Sequence, residues 1–334
     1  MKISAYSHRK GMTLVAILML CSLLVIICLR FWDEASWHVR VQANREQVFV
    51  ALLAAHSAMS IGMASLFHDT NMSDDLDERW TVTPKWIASA PLFLNGASAT
   101  VLVVDESSKM NVNMVTEDEL TSLLFALDTG LTASSTLLNM TIKQGSARRL
   151  AQCILDYIDE DNVPRPMGAE QEEYKELGLP PPANQAMRDI RELLNIPGVT
   201  QDTVQGHDSH PGLFQVLTTL GEGRINLNTA FPEVIEAIPG PPGYSEAQRA
   251  DFFKALYDAR PFKQTGSFRD FLVVYDKWIS KEYSQRFCSF SQYFMIEAEG
   301  WSLPVKRKLV AFIFRKRDGE KVGRCRIMRL AEIP

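Results

Sequence analysis

The chain has 334 residues, a length that predicts about two domains with enough apolar sequence to bury a core. Hydrophobic residues make up 46% and charged residues 22%, with 18 glycines and 16 prolines, which excludes wholesale disorder, a collagen-like repeat and a polytopic membrane protein. The formal net charge of -5 argues against bulk electrostatic binding of nucleic acid, because such binding depends on basic residues that displace counterions.

The amino-terminal sequence has the pattern of a membrane anchor. Lys2, Arg9 and Lys10 precede an unbroken apolar run from Met12 to Leu29, and no acidic residue lies before or within that run. At a rise of about 1.5 Å per residue the run approaches the roughly 30 Å hydrocarbon thickness of a bilayer, and the basic leader favours a cytoplasmic amino end. We therefore expect one span with the following residues outside the cytoplasm. A secretory signal peptide is the alternative, but residues 30–39 contain no convincing cleavage site of small residues.

The segment after the apolar run is expected to continue as helix. Residues 30–67 contain no proline, and apolar side chains recur mostly at intervals of three, four and seven. Val48, Leu52 and Met59 belong to this stripe, whereas Arg45 lies among polar residues on the other side. The pattern predicts one long helix whose outer, amphipathic half packs on a sheet.

Strand-like sequence flanks a long helical segment. β-Branched residues fill 97–104, and three further strand-like runs follow Ser289, with a hairpin signal at Asp318-Gly319 between the last two. Residues 116–277 are helix-like and punctuated by proline, so the sheet is expected to be interrupted by a helical insert. Basic side chains on an edge strand discourage unwanted strand addition, and the last run carries Arg324, Arg326 and Arg329.

A short internal repeat lies in the helical segment. Lys-Met-Asn-Val-Asn at 109–113 recurs as Arg-Ile-Asn-Leu-Asn at 224–228, and we expect the asparagines of each copy to cap a following helix. The second copy leads to Ile-Pro-Gly at 238–240, and the same ending occurs at 196–198. This arrangement resembles the helix-hairpin-helix of competence DNA receptors, in which turn amides bind a phosphate, so a membrane-anchored DNA receptor is an alternative function. Prolines and acidic residues around the second turn oppose it.

Cysteine placement follows the predicted compartments. Cys21 and Cys28 lie within the predicted span and are expected to be reduced, whereas Cys288 and Cys325 fall on strand-like sequence outside the cytoplasm, where disulfides form. Those two residues are the candidate disulfide pair. Cys153 is expected to be a small buried hydrophobe, although it can compete for either partner, and the sequence alone establishes no connectivity.

An acidic segment from Asp156 to Glu173 is the candidate ligand-binding loop. Seven carboxylates surround Gly168 and two prolines, and many oxygen donors on a bent loop suit Ca²⁺ better than Mg²⁺ or zinc. The spacing is not that of an EF-hand. A solvated acidic loop without an ion therefore stands as the alternative.

The junction Arg9-Lys10-Gly11-Met12-Thr13-Leu14 resembles a prepilin leader. The resemblance implies cleavage after Gly11 by a prepilin peptidase, which leaves Met12 as a methylated amino terminus. Most pilins carry Glu at the fifth mature position, where this chain has Ala16. A carboxylate among packed apolar helices is costly without a charged partner, which in pilins is the amine of a neighbouring subunit. Its absence is expected to suit the tip of a fibre rather than its shaft.

Three longer segments resemble the K-type minor subunit of the type II secretion system. They are DESSKMNVN at 105–113, LDYIDEDNVPRPMGAEQEEY at 155–174 and PGLFQVLTTLGEGRINLNTA at 211–230. The resemblance implies an α+β, pilin-like fold: a long N-terminal helix on an antiparallel β-sheet, with a large inserted all-α domain. The implied parts are a cleaved leader (1–11), a transmembrane half-helix (12–29), the outer helix with the start of the sheet (30–105), the inserted domain (106–285) and C-terminal β-strands (286–334).

The resemblance also implies a structural Ca²⁺ that orders the acidic loop, with the expected ligands Asp159, Asp161, Glu170 and Glu173. Its implied function is that of a minor pseudopilin at the tip of the secretion pseudopilus, which initiates assembly and caps the fibre for export of folded proteins across the outer membrane. A minor pilin at the tip of a type IV pilus is a related alternative.

The partners that the resemblance implies are I-type and J-type minor pseudopilins, bound through the N-terminal helix, and the major pseudopilin, the prepilin peptidase, the inner membrane, and a secreted substrate or the outer-membrane secretin. No nucleic acid is expected. The sequence contains no GxSxG elbow, P-loop or HExxH motif, and we expect no enzymatic activity.

Overall fold

The fold combines one long helix, an antiparallel sheet and a helical insert, as the sequence predicts. The computed structural model describes residues 7–71, 73–82, 84, 92–94, 96–129, 137–207, 210–239, 245–263, 267–274, 285–318 and 321–333. The α-helices are α1 (Ser7–Phe67), α2 (Glu117–Thr129), α3 (Leu137–Ile158), α4 (Gln171–Glu176), α5 (Gln201–Gln205), α6 (Leu213–Val216), α7 (Pro232–Glu236), α8 (Glu246–Ala259) and α9 (Ser267–Val274). The strands are β1 (Leu92–Leu94), β2 (Ala97–Asp105), β3 (Met110–Asn111), β4 (Gly206–His207), β5 (His210–Pro211), β6 (Leu217–Thr218), β7 (Ile225–Asn226), β8 (Phe287–Cys288), β9 (Tyr293–Ser302), β10 (Val305–Asp318) and β11 (Lys321–Ile333). Short 3₁₀ helices occupy Glu106–Ser108 and Ile190–Asn195.

The main sheet has five strands in the order β1-β2-β9-β10-β11, and all neighbours are antiparallel. β2 and β9 are adjacent in the sheet although the whole insert separates them in sequence. The predicted hairpin joins β10 to β11, with Asp318 paired to Lys321, while Gly319 lies outside the described residues. The sheet is therefore interrupted by the helical segment, as the sequence indicated.

The outer half of α1 packs on one face of this sheet. Its buried surface consists largely of small residues, Ala51, Ala54, Ala55 and Ala58, together with Met59 and Leu66 near the end of the helix. Most of these side chains share a hydrophobic cluster with strand residues such as Ile296. Small side chains allow the helix backbone to approach the strands closely, so the predicted stripe is confirmed in position but is made largely of alanine. This pairing of helix and sheet forms the first hydrophobic core.

The insert between β2 and β9 has a second hydrophobic core of its own. Buried aromatic and aliphatic side chains from α2, α3, α8 and the loops between them meet there, including Ile154, Tyr174 and Phe252. Three two-residue ladders tie the insert together: β3 with β6 and β7 with β8 are parallel, and β4 with β5 is antiparallel. The expected all-helical insert is thus helical with short extended links.

The internal repeat corresponds to two equivalent turns. The Oδ1 atom of Asn111 accepts the Asn113 amide at 3.0 Å, and that of Asn226 accepts the Asn228 amide at 3.0 Å. The second asparagine of each copy then exchanges two hydrogen bonds with a distant backbone: Asn113 with Met187, and Asn228 with Phe262.

The expectation that these asparagines cap helices is wrong. Thr116 caps α2, because its Oγ1 accepts the Glu119 amide at 3.3 Å while Glu119 accepts the Thr116 amide at 2.9 Å. Phe231 precedes α7, which has proline at its start. The asparagine side chains instead hold turns and remote loops, a role that their spacing alone did not reveal.

A buried polar network joins the insert to the sheet. The Nδ2 atom of Asn226 donates to the Asp74 carbonyl at 3.2 Å, to Asp105 at 3.3 Å and to Ser291 at 2.7 Å. Asp74 also pairs with Arg315 on β10. Because all of these groups are buried, their hydrogen bonds hold the two cores in one arrangement.

Candidate functional site

The first half of α1 projects its apolar side chains outward. Side chains such as Leu14, Leu18 and Ile26 are more than half exposed, and none of them is buried against the part of the chain that the structure describes. The segment Met12–Phe67 contains a stretch long and apolar enough to cross a membrane. The hydroxyl of Ser22 within it donates to the Met19 carbonyl at 2.8 Å, which satisfies that polar group inside the helix. This surface fits a single-pass membrane anchor.

The predicted processing site lies within the same helix. Gly11 and Met12 are consecutive residues of α1, and Met12 is 75% exposed. Ala16 is also exposed one turn later, so the fifth position after the predicted cleavage presents a methyl group. Cleavage and methylation at this junction stay predictions.

The acidic loop connects α3 to α4 and folds around Arg165. Its guanidinium donates to Asp156 at 2.5 Å and to Asp159 at 2.6 Å, and the Arg165 amide donates to Asp156 at 3.1 Å. The backbone at Gly168 lies directly against this ion pair. Only glycine fits there, because a Cβ on this residue would lie 1.8 Å from the Asp156 carboxylate. Asp156 is thus held by a protein cation.

Three of the four predicted calcium ligands come together. Asp159, Asp161 and Glu170 each offer an oxygen that lies within 4.8 Å of the other two. Glu170 is only 3% exposed, and neither of its carboxylate oxygens accepts a hydrogen bond from a described residue. The Oδ1 atom of Asp159 is likewise buried and unpartnered. Burial, followed by the neighbouring carboxylates, raises the pKa of Glu170 to about 7.

This donor set suits a hard divalent cation. A buried carboxylate without donors, such as that of Glu170, is costly, and a cation that takes oxygen ligands would satisfy it. The same cation would reach Asp159, which also accepts a hydrogen bond from Arg165, and the exposed Asp161, which also accepts one from the Val163 amide. Ca²⁺ accepts irregular oxygen geometry and charge of this kind, so the residues fit the predicted ion. Its chemistry there would be structural, since the ion would neutralise and order the loop.

Glu173, the fourth predicted ligand, is not one of the three converging carboxylates. Its Oε2 atom accepts the backbone amide of Glu170 at 3.1 Å at the start of α4. This bond fixes the backbone of Glu170 and thereby the direction of its side chain. Its role as a ligand stays a prediction.

A second acidic group, which the sequence did not suggest, lies beside the sheet. Asp69, Asp74 and Glu78 bring their carboxylates within 4.8 Å of one another. Here Arg315 supplies the positive charge, because it binds Asp69 at 2.6 Å and also pairs with Asp74. Asn71 and Trp80 donate to Glu78. The group is therefore an internal ion network, found only when β10 is placed beside the end of α1.

The predicted disulfide is absent, since Cys288 and Cys325 both carry free thiols. Cys288 belongs to the β7 and β8 ladder, and its sulfur donates to the Phe290 carbonyl at 3.1 Å. Cys325 lies on β11 and packs against the α1 and sheet core. The two positions are strand-like, as expected, but belong to different sheets. Cys153 is buried in the insert, as predicted.

The helix-hairpin-helix alternative gains no support from the turn at 196–198. The Ile196 amide donates to the Leu193 carbonyl at 3.1 Å, and the Val199 amide donates to the Ile196 carbonyl at 3.1 Å. Amides engaged in this way are not available to a phosphate. The second turn, 240–243, lies outside the described residues.

The insert resembles a known protein family over much of its length. Residues 108–208 match the sequence model of the family described as type II secretion system (T2SS), protein K. This part of the chain is similar to a protein K domain. It contains the first Asn-x-Asn turn and the acidic loop, which belong to two of the three segments that predicted the resemblance to K-type pseudopilins, whereas the third segment, 211–230, follows the matched range. That resemblance is confirmed.

Two individual relatives agree with the family match. A protein of Escherichia coli (strain K12) named as a type II secretion system protein K is 29% identical over 207 residues, which are 60% of this chain and 61% of that protein. The chain therefore spans about three-fifths of the length of this relative. A chain in the crystal structure of the GspK-GspI-GspJ complex from the type 2 secretion system of enterotoxigenic E. coli superposes with a TM-score of 0.63 at 20% identity, covering 89% of this chain and 99% of that chain. At this identity the superposition shows the fold.

Proposed function

We propose that this chain is a minor pseudopilin that initiates and caps the pseudopilus of a type II secretion machine. The observation that carries the proposal is the division of α1 into a half that packs on its own sheet and a half whose apolar side chains have no partner in the described part of the chain. Such a helix needs lipid or other helices around it, which a fibre of parallel helices provides. The similar crystal structure is a complex with GspI and GspJ, and we propose I-type and J-type minor pseudopilins as partners of this chain.

Two features favour a position at the fibre end. Ala16 replaces the acidic residue that would pair with a neighbouring amine inside the shaft, so an end position leaves no contact unmade. The insert adds a second core beside the sheet, and its bulk would obstruct a further subunit stacked above it. The major pseudopilin would follow below.

In the proposed arrangement the amino end is cytoplasmic, α1 crosses the inner membrane and the insert lies in the periplasm. The Lys2, Arg9 and Lys10 leader supports this orientation through the excess of basic residues expected on the cytoplasmic side. The prepilin peptidase would act on the chain before assembly. From the tip, the insert would contact a secreted substrate or the outer-membrane secretin. The proposed role is assembly rather than catalysis.

Processing tests the proposal most directly. We would express the full chain with and without a prepilin peptidase and measure the intact mass. We expect the peptidase to remove residues 1–11 and to leave a methylated Met12. Gly11→Val should block this cleavage and abolish export, because the branched side chain obstructs the scissile bond. Gly145→Ala, a glycine substitution on α3 with open space around it, is the matched control. A product that starts elsewhere than Met12 would contradict the proposal.

We further propose that Ca²⁺ orders the acidic loop through Asp159, Asp161, Glu170 and Glu173. The unpartnered, buried carboxylate of Glu170 supports this proposal. A ligand that binds only the folded state at a hundredfold excess over its dissociation constant adds about 2.7 kcal/mol to the free energy of unfolding. Chelation should therefore lower the melting temperature of the full chain in lipid nanodiscs.

The calcium test uses two variants of the same loop. Glu170→Gln should remove the response to Ca²⁺, because it deletes a ligand charge, whereas Glu172→Gln, at an exposed position two residues along, should keep it. Melting curves with Ca²⁺ and with a chelator provide the comparison. Equal melting temperatures of the parent chain under both conditions would exclude the site.

A further inference from the structure

A large groove separates the main sheet from the insert. α1 covers one face of the sheet, and the groove lies over the opposite face, with a volume of about 1250 Å³. Its floor consists mainly of apolar side chains from the strands, including Leu102, Met295 and Phe312, together with the ion pair of Glu297 and Lys308. Its roof includes Phe214 and Phe231 of the insert. Leu102, on β2, is 46% exposed on this face of the sheet. An exposed apolar surface of this extent is typical of a binding site.

The groove is more basic than the molecule as a whole. Six basic and four acidic residues line it, whereas the chain carries a net charge of -5. Most of these charges are paired internally. Lys109 binds Glu106 at 2.5 Å, and Lys308 binds Glu297 at 2.5 Å.

The remaining basic residues of the groove outnumber the carboxylates that pair with them. Arg191 and Arg329 share the single carboxylate of Asp189, at 2.7 and 2.8 Å. Arg188 donates to Gln185 at 3.2 Å and forms no ion pair with a described carboxylate. The excess of positive charge is therefore concentrated where the insert faces the open groove.

Arg260 provides the most specific feature. Its Nη2 atom donates to the Ala230 carbonyl at 2.9 Å, and its guanidinium lies 5.7 Å from the centre of the Tyr257 ring. No described carboxylate pairs with it, although a guanidinium has five N–H donors. Burial lowers the pKa of Arg260, which reflects the cost of holding this charge away from water. A carboxylate in the groove would offset that cost and form strong charge-assisted hydrogen bonds.

We propose that this groove binds an extended segment of a partner polypeptide in which carboxylate side chains alternate with apolar ones. Apolar side chains of such a segment would cover the sheet residues, and a carboxylate would pair with Arg260. The groove exceeds the roughly 300–1,000 Å³ of sites for small molecules, which favours a stretch of polypeptide. The inference does not depend on a position at the fibre tip.

Binding of designed peptides to the full chain in phosphatidylcholine nanodiscs tests the proposal. Three fluorescent peptides of equal length would alternate leucine with glutamate, glutamine or lysine, and fluorescence anisotropy would report their affinities. We expect the glutamate peptide to bind, the glutamine peptide to bind more weakly and the lysine peptide not to bind, because the surplus charge of the groove is positive.

Variants then locate the binding. Arg260→Gln should weaken the glutamate peptide about tenfold and leave the glutamine peptide unchanged, because it removes one charge-assisted contact. Arg326→Gln, an exposed arginine on β11 outside the groove, is the control and should change neither. If Arg260→Gln lowers the melting temperature, Leu102→Glu serves instead, since an exposed position tolerates the change. It should weaken the glutamate peptide and admit the lysine peptide.

Several results would overturn the proposal. One is equal affinity for all three peptides, which would mean that charge plays no part. Another is binding that neither Arg260→Gln nor Leu102→Glu alters, which would place it elsewhere. Binding of sodium oleate without any peptide binding would assign the groove to an anionic amphiphile.

Discussion

At Asp105 three side chains converge on one carboxylate oxygen. The Oδ2 atom accepts hydrogen bonds from Thr229 and Ser291, both at 2.5 Å, and from Asn226 at 3.3 Å, while Oδ1 accepts the Ser107 amide at 2.8 Å. Burial raises the pKa of Asp105, and this set of donors opposes that effect by stabilising the ionised form. Asp105, the last residue of β2, therefore joins this strand to the insert and to the segment that precedes β9.

Replacement of Asp105 by asparagine should destabilise the molecule. The amide keeps the shape but offers a donor where three donors already meet, so buried hydrogen-bond groups lose their partner at a cost of about 2 to 3 kcal/mol. Urea unfolding of the full chain in nanodiscs, followed by tryptophan fluorescence, measures the change. Asp77→Asn, at an exposed position, should leave the midpoint unchanged. An unaltered midpoint for Asp105→Asn would show that the network adds no stability.

At this scale the sequence predicted candidates but not their partners. It identified Asp105 as the first residue of a motif and Asp159, Asp161 and Glu170 as candidate ligands, because acidic residues close in sequence are visible as a cluster. It did not predict that Arg315 would enter the network around Asp74, since β10 follows the whole insert. Nor did it show that Arg165 would form an ion pair with Asp156.

At the scale of elements, α1 and β9 meet without side chains between them. A Cβ on Gly300 would lie 2.1 Å from the Ala51 carbonyl oxygen and 2.7 Å from the Ala55 nitrogen. The helix can rest on the sheet at this point only because β9 has glycine there and the helix has alanine.

Gly300→Ala should therefore separate α1 from the sheet. Overpacking of a close contact typically costs about 1 to 3 kcal/mol, and a backbone atom cannot move aside as a flexible side chain does. The free energy of unfolding in nanodiscs should fall by that amount. Gly145→Ala is a control of the same chemistry in open space within a helix, and it should be neutral or slightly stabilising. If both variants unfold at the same urea concentration, the close approach has no energetic consequence.

The link between β11 and the insert should depend on pH. Hydrogen bonds from Arg191, aided by Arg329, lower the pKa of Asp189. A lowered pKa contributes stability that is present above the unfolded aspartate value of about 3.9 and is lost as the pH falls below it. Asp189→Asn should therefore lower the melting temperature at pH 7, and its difference from the parent chain should shrink on acidification below about pH 4.

Melting curves of both chains over that pH range measure this effect. Asp251→Asn, an exposed aspartate on α8, should show no such convergence. A difference between Asp189→Asn and the parent that stays constant as the pH falls would rule out a charge effect.

Periodicity predicted the long elements well and the short ones poorly. The helix from residue 30 to Phe67 and the last three strands have enough residues to reveal their repeat. The ladders of β3 with β6 and of β7 with β8 have two residues per strand, too few for any pattern. Their formation depends on contacts between residues that are far apart in the sequence of the insert. The asparagines were wrongly predicted to cap helices for the same reason, since their actual partners, Met187 and Phe262, are also distant in sequence.

At the scale of the whole molecule, the proposed end position makes Ala16 informative. Ala16→Glu would place a carboxylate among apolar helices with no amine above it, at a cost of several kcal/mol. If the chain occupies the fibre end, the number of assembled fibres should fall more than tenfold, because about 1.4 kcal/mol corresponds to one factor of ten. Ala16→Leu keeps the surface apolar and should assemble normally.

Counting fibres by electron microscopy, with labelled copies of the chain, measures this outcome. Labels should mark one end of each fibre in the parent and in Ala16→Leu. Labels spaced along the fibre, or undiminished assembly of Ala16→Glu, would contradict the end position.

The two Asn-x-Asn turns have a mechanical consequence. Asn111, in the first turn, donates hydrogen bonds to backbone carbonyls within the insert. Asn226, in the second turn, donates instead to Asp74, which follows α1 in the sequence, and to Ser291, which precedes β9. A load applied to the insert therefore reaches the base of the sheet through a short path of buried hydrogen bonds rather than through a hinge. A force on the insert is therefore expected to move the insert, the sheet and the outer half of α1 together as one rigid body.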